Sequence, residues 1–183
     1  KLSIFLNFLI PKLPAPREED LSKGILEAID MERYRNEVKD AMKRRDVKGS
    51  FGLGGITGYF VDLLREGYVE RLLDVQSFDL EAVKSIAENP NHIEISADWY
   101  ANPWTSGAAV NSLDVVILGA TELDRDFNAN VNTEADGALL HGTGGHQDTA
   151  AGAGLTIIAQ PLLRGRIPCV VDEVTGRSRQ CGF

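Results

Sequence analysis

Two glycine-rich stretches carry the residues best suited to chemistry: GLGGITG, Gly52 to Gly58, and GTGGHQD, Gly142 to Asp148. Glycine loses more conformational entropy on folding than other residues. A cluster of it therefore marks a tight turn or a place where another group approaches the backbone closely. Outward-pointing backbone N–H groups at such a place hold a negatively charged oxygen. That is the physics of an oxyanion hole. LLRGR, residues 162–166, adds Arg164 and Arg166, whose guanidinium groups suit carboxylate recognition; surface ion pairing is the plainer role for them. Alone, each glycine stretch reads as a turn. Its position says more, because each follows an expected strand and precedes an expected helix start or small-residue turn.

Several other chemistries lack their signatures. A dinucleotide fingerprint would need glycine at positions 57 and 147, where Thr57 and Gln147 stand. No Gly-Lys-Ser/Thr follows either stretch, so neither is a P-loop. No Gly-x-Ser-x-Gly elbow of a serine hydrolase occurs. His141, His146 and Asp148 do not match a closed set of metal ligands, and no metal is expected. Trp99, Tyr100 and Trp104 are expected to pack rather than to stack on a ligand.

The elements that position these residues follow from periodicity. Met31, Tyr34, Val38, Ala41 and Met42 recur at helical spacing, predicting a helix over 31–46 with a basic C-terminal end. Residues 50–55 read as a short strand entering a glycine loop, with Thr57 as N-cap of a helix that Gly67 ends. RLLDVQSF is a strand, and DLEAVKSIAEN a helix capped by Asp79 and stopped by Pro90. HIEISADWYANP is ambiguous. Val115 to Leu118 are continuously apolar, which predicts an interior strand buried on both faces. FNANVNTE alternates as a partner strand would, and LTIIA and CVV are expected in the same sheet as VVILG. Strands alternating with helices, followed by mostly strands, make this an α/β chain with a mixed sheet flanked by helices.

The chain has 183 residues, enough for one domain with an appendage. We divide it into an atypical N-terminal segment 1–30, a domain 31–176 and an atypical tail 177–183. A net charge of −8 gains nothing from counterion release, so no nucleic-acid partner is expected. No run approaches the length of a membrane span. The opening KLSIFLNFLIPKLPAP loosely resembles a signal peptide, but Asn7 interrupts its short apolar run, and a displaced or foreign segment is the expectation. The prolines there predict poor packing of residues 1–30. Cys169 and Cys181 are too few for a disulfide scaffold; Cys169 reads as a packed thiol, and a cytoplasmic location fits.

KGSFGLGGITGYFVDLLREG, LLDVQSFDLEAVKSIAENPNHIEISADWYANP, GAAVNSLDVVILGATELDRDFNANVNTEADG and GTGGHQDTAAGAGLTIIAQPLLRGRIPCVVDEVT together resemble the alpha subunit of bacterial citrate lyase, the citrate CoA-transferase. The likeness runs from about residue 38 to about residue 175 and misses both ends. It implies a family I CoA-transferase-like fold of two α/β domains, of which this chain would be most of the second. A fragment, or the product of a broken gene, is therefore expected, with little transferase activity alone.

The resemblance further implies the reaction. Citrate replaces acetate on the thioester of a small acyl carrier protein, giving citryl carrier protein and acetate. No cofactor would be tightly bound; the thioester belongs to a phosphoribosyl-dephospho-CoA group on the carrier and is a substrate. The implied partners are the beta subunit and the gamma, or acyl carrier, subunit, in an oligomeric complex. Related transferases attack with a glutamate where Gly54 or Gly55 stands here, and no acid occurs between Ser50 and Tyr59. That fits the citrate lyase type, in which a mixed anhydride forms without a protein nucleophile. With that reaction implied, the Gly144 and Gly145 amides are the candidate oxyanion donors, Gly54 and Gly55 leave room for citrate, Gly142 is a further substrate-binding candidate, and His146, Gln147, Arg164 and Arg166 are candidates for binding a carboxylate. Two alternatives stay open: the related citramalate lyase subunit, and an inactive folded remnant serving at most in assembly.

Overall fold

A computed structural model describes residues 31–133, 138–140, 142–160, 162–164 and 167–174. The expectations for 1–30 and 177–183, and for His141, Arg166 and Cys181, lie outside the described residues.

Helix α1 (Met31–Arg45) opens the described chain, with Lys43, Arg44 and Arg45 in its last turn, where cations complement the helix dipole. Strand β1 (Gly52–Ile56), helix α2 (Gly58–Arg65), strand β2 (Leu72–Ser77), helix α3 (Leu80–Glu88) and strand β3 (His92–Glu94) follow. The three strands form one parallel sheet in the order β1-β2-β3. Ile56, Val61, Leu64, Leu72 and Ala82 pack the α2/α3 face of this sheet. Leu73 points the other way, as period-2 alternation requires, and joins Ile95, Tyr100, Ala108 and Val110.

The GLGG segment is strand, not loop. Gly52 to Ile56 pair with Leu72 to Ser77, and the register slips between Gly54 and Gly55. The extra residue there is Val75 of β2, a β-bulge opposite Gly54 and Gly55, and Gly54 takes φ +114°, which its missing side chain permits. Thr57 occupies the N-cap position of α2 without a side-chain cap bond. The carboxylate of Asp79 does that work for both helices: Oδ2 accepts from Gly58 N at 2.7 Å and Oδ1 from Ala82 N at 2.9 Å.

The ambiguous segment after β3 forms helix α4 (Ala97–Ala101), capped by Ser96, and a 3₁₀ turn follows at Ala109–Ser112. Strand β4 (Val115–Leu118) pairs in parallel with β7 (Leu155–Ile158). Val38, Ala41 and Met42 of α1 cover Val115, Leu155 and Ile157. The expected burial on both faces is not seen: β4 is half-buried and Ile117 is 37% exposed. Among the described residues α1 covers one side at Val115, Leu155 and Ile157 but leaves Ile117 open, while Val116 and Leu118 on the other side are partly buried.

Strands β5 (Glu122–Leu123) and β6 (Ala129–Asn130) form the expected antiparallel pair. CVV does not join β4 and β7. Cys169 is buried, its carbonyl accepts from Leu123 N, and Val170 bridges Leu123, so this segment pairs with the β5 hairpin. Two short strands, β8 (Leu163–Arg164) and β9 (Ile167–Pro168), form a small antiparallel pair before it. Helix α5 (His146–Gly152) links the second glycine stretch to β7. A single bridge, Thr133 to Leu139, stands where a strand was expected before GTGG.

Candidate functional site

Tyr100 brings the two glycine stretches together. Its ring is rooted in the cluster of Leu73, Ile95, Ala108 and Val110 and is 9% exposed. A Cβ placed on Gly145 would lie 2.1 Å from the Tyr100 hydroxyl oxygen and 2.8 Å from Cε1 and Cζ. A Cβ on Gly54 would lie 3.8 Å from the same oxygen and 3.9 Å from Cε2. Opposite edges of one ring therefore face Gly54 of β1 and the GTGG turn. Packing was the sequence expectation for the aromatic trio. Tyr100 meets it, but Trp99 is half-exposed and Trp104 is 93% exposed.

Burial holds the Tyr100 phenol above the usual tyrosine range, and the Asp148 carboxylate adds to the rise; the Thr149 hydroxyl pulls the other way. Tyr100 is thus a neutral group at ordinary pH.

The turn itself is tied down from within. Thr149 donates to the Gly145 carbonyl through both Oγ, at 2.8 Å, and N, at 3.0 Å. His146 donates to the Thr143 carbonyl from its backbone, at 3.2 Å, and from ring Nδ1, at 2.7 Å. A carbonyl can only accept, so Nδ1 carries a proton and Nε2 is an acceptor in the neutral ring. Gly144 has φ +55°, and among the described residues no atom beyond its own chain neighbours lies within 4 Å of where its Cβ would be. The same open space surrounds Gly142. Among the described residues, neither Gly144 N–H nor Gly145 N–H has a protein acceptor.

The remaining candidates divide. Gly55 approaches Phe78, whose ring would lie 1.9 Å from an added Cβ, so its space is filled by the protein itself. Gln147 is exposed, with Nε2 reaching Asp148 Oδ2 at 3.5 Å. Arg164 lies on β8, on a stretch whose side chains are outside the description, as is Arg166 altogether, so neither is placed at the turn. No group of three His, Cys, Asp or Glu capable of holding a metal ion occurs among the described residues. None of the described helices is long and apolar enough to cross a membrane.

A second polar group was not foreseen. His92 Nε2 and Asp74 Oδ2 lie 3.2 Å apart, fully buried between β2 and β3, and Ser77 donates to the same oxygen at 2.6 Å. Asp74 sits across the ladder from Gly54. In the sequence, Asp74 and His92 are single polar residues in different strands, with nothing to link them before the register is known.

Comparison with known proteins adds identity to this geometry. Residues 28–178 match the family model described as citrate lyase, alpha subunit. The chain is 56% identical over 140 residues to the citrate lyase alpha chain of Klebsiella pneumoniae, covering 76% of this chain and 28% of that one. It is 55% identical over 137 residues to the Escherichia coli citrate lyase alpha chain, covering 75% of this chain and 27% of that one. A crystal structure from Streptococcus mutans, described as an alpha subunit of citrate lyase in complex with citrate, superposes with a TM-score of 0.73. Identity to it is 44%, and the match covers 76% of this chain and 28% of that one. The chain thus spans a little over a quarter of the length of the relatives it matches.

Proposed function

The chain belongs to the citrate lyase alpha-subunit family, and from that premise we propose that it forms part of a transferase exchanging citrate for acetate on the thioester of an acyl carrier protein. The observation that carries this is the match of residues 28–178 to the family, together with the citrate held by the Streptococcus mutans relative.

The chemistry proceeds in two acyl transfers. A citrate carboxylate oxygen attacks the acetyl thioester carbonyl; the C–S bond breaks, the carrier thiolate leaves, and acetyl-citrate anhydride remains. The thiolate then attacks the citrate carbonyl of the anhydride and expels acetate. No protein nucleophile is required, which agrees with the absence of Asp or Glu between Ser50 and Tyr59. The protein's task is placement and charge stabilisation. The Gly144 and Gly145 N–H groups serve as oxyanion donors in this scheme; their lack of protein acceptors and the open space at Gly144 favour it. His146 and Gln147 bind carboxylate in it, His146 from Nε2 when the ring is protonated. Arg164 and Arg166 are further carboxylate donors, and Gly54 and Gly142 form glycine walls of the substrate site.

The substrate group is the phosphoribosyl-dephospho-CoA thioester of the carrier, and the partners are the beta and gamma subunits. The cytoplasm, where such carriers work, is the proposed location. The match spans 28% of the Klebsiella pneumoniae relative, and residues 1–183 in isolation are expected to turn over poorly. The test supplies acetyl carrier protein and citrate to a full-length alpha subunit bearing this segment, and separately to the isolated chain. Acetate release by the first and not the second is expected. An inactive full-length subunit, or transfer of citramalate in preference to citrate, would overturn the assignment.

A further inference from the structure

We infer that Tyr100 is a positioning residue for the exchange reaction, acting as a strut that fixes the GTGG turn against Gly54 of β1. This rests on the transferase function proposed above. Three observations carry it. First, the ring lies between Gly145 and Gly54, which both lack side chains: an added Cβ would clash with one edge of it at Gly145 and come within van der Waals distance of the other edge at Gly54. Any side chain at Gly145 would collide with the phenol, so the close approach that glycine permits here is to Tyr100. Second, the other end of the ring is anchored in a buried apolar cluster that spans β2, the segment after β3 and the 3₁₀ turn. The strut therefore transmits the position of the parallel sheet to the turn. Third, the hydrogen bonds within the turn are short-range, Thr149 to Gly145 and His146 to Thr143, and helix α5 behind it packs on the 3₁₀ turn, where Gly152 lies against Val110. Among the described residues, Tyr100 is the side chain that lies between the turn and Gly54 of β1.

Positioning of this kind acts on the transition state. A donor displaced by about 1 Å loses rate by about 100-fold while ground-state binding changes little.

The test compares variants in a full-length alpha subunit bearing this segment, assayed with acetyl carrier protein and citrate. Tyr100→Leu is expected to lower kcat about 100-fold with KM for citrate within about threefold of the parent. Tyr100→Phe keeps the ring and is expected to recover at least about tenfold of that loss. Equal losses in Leu and Phe variants would place the role on the hydroxyl and overturn the strut. So would a Tyr100→Leu rate within about threefold of the parent, or an effect confined to KM. Should Tyr100→Leu fail to fold, Gly145→Ala gives the second measurement. It collides chiefly with the hydroxyl oxygen, so Gly145→Ala with Tyr100→Phe should regain part of the kcat that Gly145→Ala loses; no recovery would count against the strut. An inactive parent would instead remove the transferase function, and this inference with it.

Discussion

Asp74 and His92 meet at 3.2 Å across adjacent parallel strands, and neither side chain reaches solvent. The shared Oδ2 also accepts from Ser77, so one buried carboxylate oxygen ties β2 to β3 and closes the end of its own strand. Since Asp74 lies opposite Gly54, the same network backs the bulge that faces Tyr100. Asp74→Ala would leave the Ser77 hydroxyl and the His92 ring without their acceptor in a closed interior. The expected cost is about 1–3 kcal/mol, read from urea denaturation. A change under about 0.5 kcal/mol would show that the network contributes nothing.

Two glycines with severe contacts should differ in tolerance. Gly55 faces Phe78, whose ring is 61% exposed and free to turn toward solvent. Gly145 faces Tyr100, which is anchored in the core. Gly55→Ala should therefore change stability by less than about 1 kcal/mol, and Gly145→Ala by about 1–3 kcal/mol, the usual range for forced overpacking. Thermal or urea melts of the two variants decide it. The reverse order would mean that Phe78 is the fixed group.

Much of the fold was legible because its signals are local. The helix at 31–45, the cap at Asp79, the stop at Gly67 and the strands at 72–77 and 115–118 follow from periodicity and termini. The bulge between β1 and β2 was not legible, because GLGG in a ladder and GLGG in a loop have the same composition; only pairing with β2 separates them. The CVV segment was misassigned to the main parallel pair for a related reason, since an apolar run does not name its neighbour. At the site, the family likeness pointed to GTGG. Tyr100 stayed hidden, because its meaning lies in contacts with Gly54 and Gly145, 46 and 45 positions away.

Asp79 should behave as a double cap. Its two oxygens take one N–H each from α2 and α3, so Asp79→Ala removes both caps at once. A loss of about 1–3 kcal/mol is expected, more than a single cap gives, with Asp79→Asn recovering most of it. A loss no larger than that of Ser96→Ala, the single cap of α4, would refute the shared role.

The raised Tyr100 ionisation has a definite sign in stability. Its folded value lies above the unfolded one, so its contribution is complete below the ordinary tyrosine value of about 10 and is lost as pH rises through the folded value. An alkaline absorbance titration of the parent minus that of Tyr100→Phe should isolate a component ionising above about 10. A component at or below that value would contradict the burial seen here.

The central claim is exchange without a protein nucleophile, and oxygen tracing tests it most directly. Citrate labelled with ¹⁸O in its carboxylates is given, for a single turnover, to a full-length alpha subunit bearing this segment and charged acetyl carrier protein. In the mixed-anhydride route the bridging oxygen comes from citrate and departs with acetate. The prediction is therefore one ¹⁸O atom in each acetate released and none in the protein. Unlabelled acetate, with ¹⁸O appearing in a carboxyl group of the protein, would show a covalent acyl-enzyme and contradict the account.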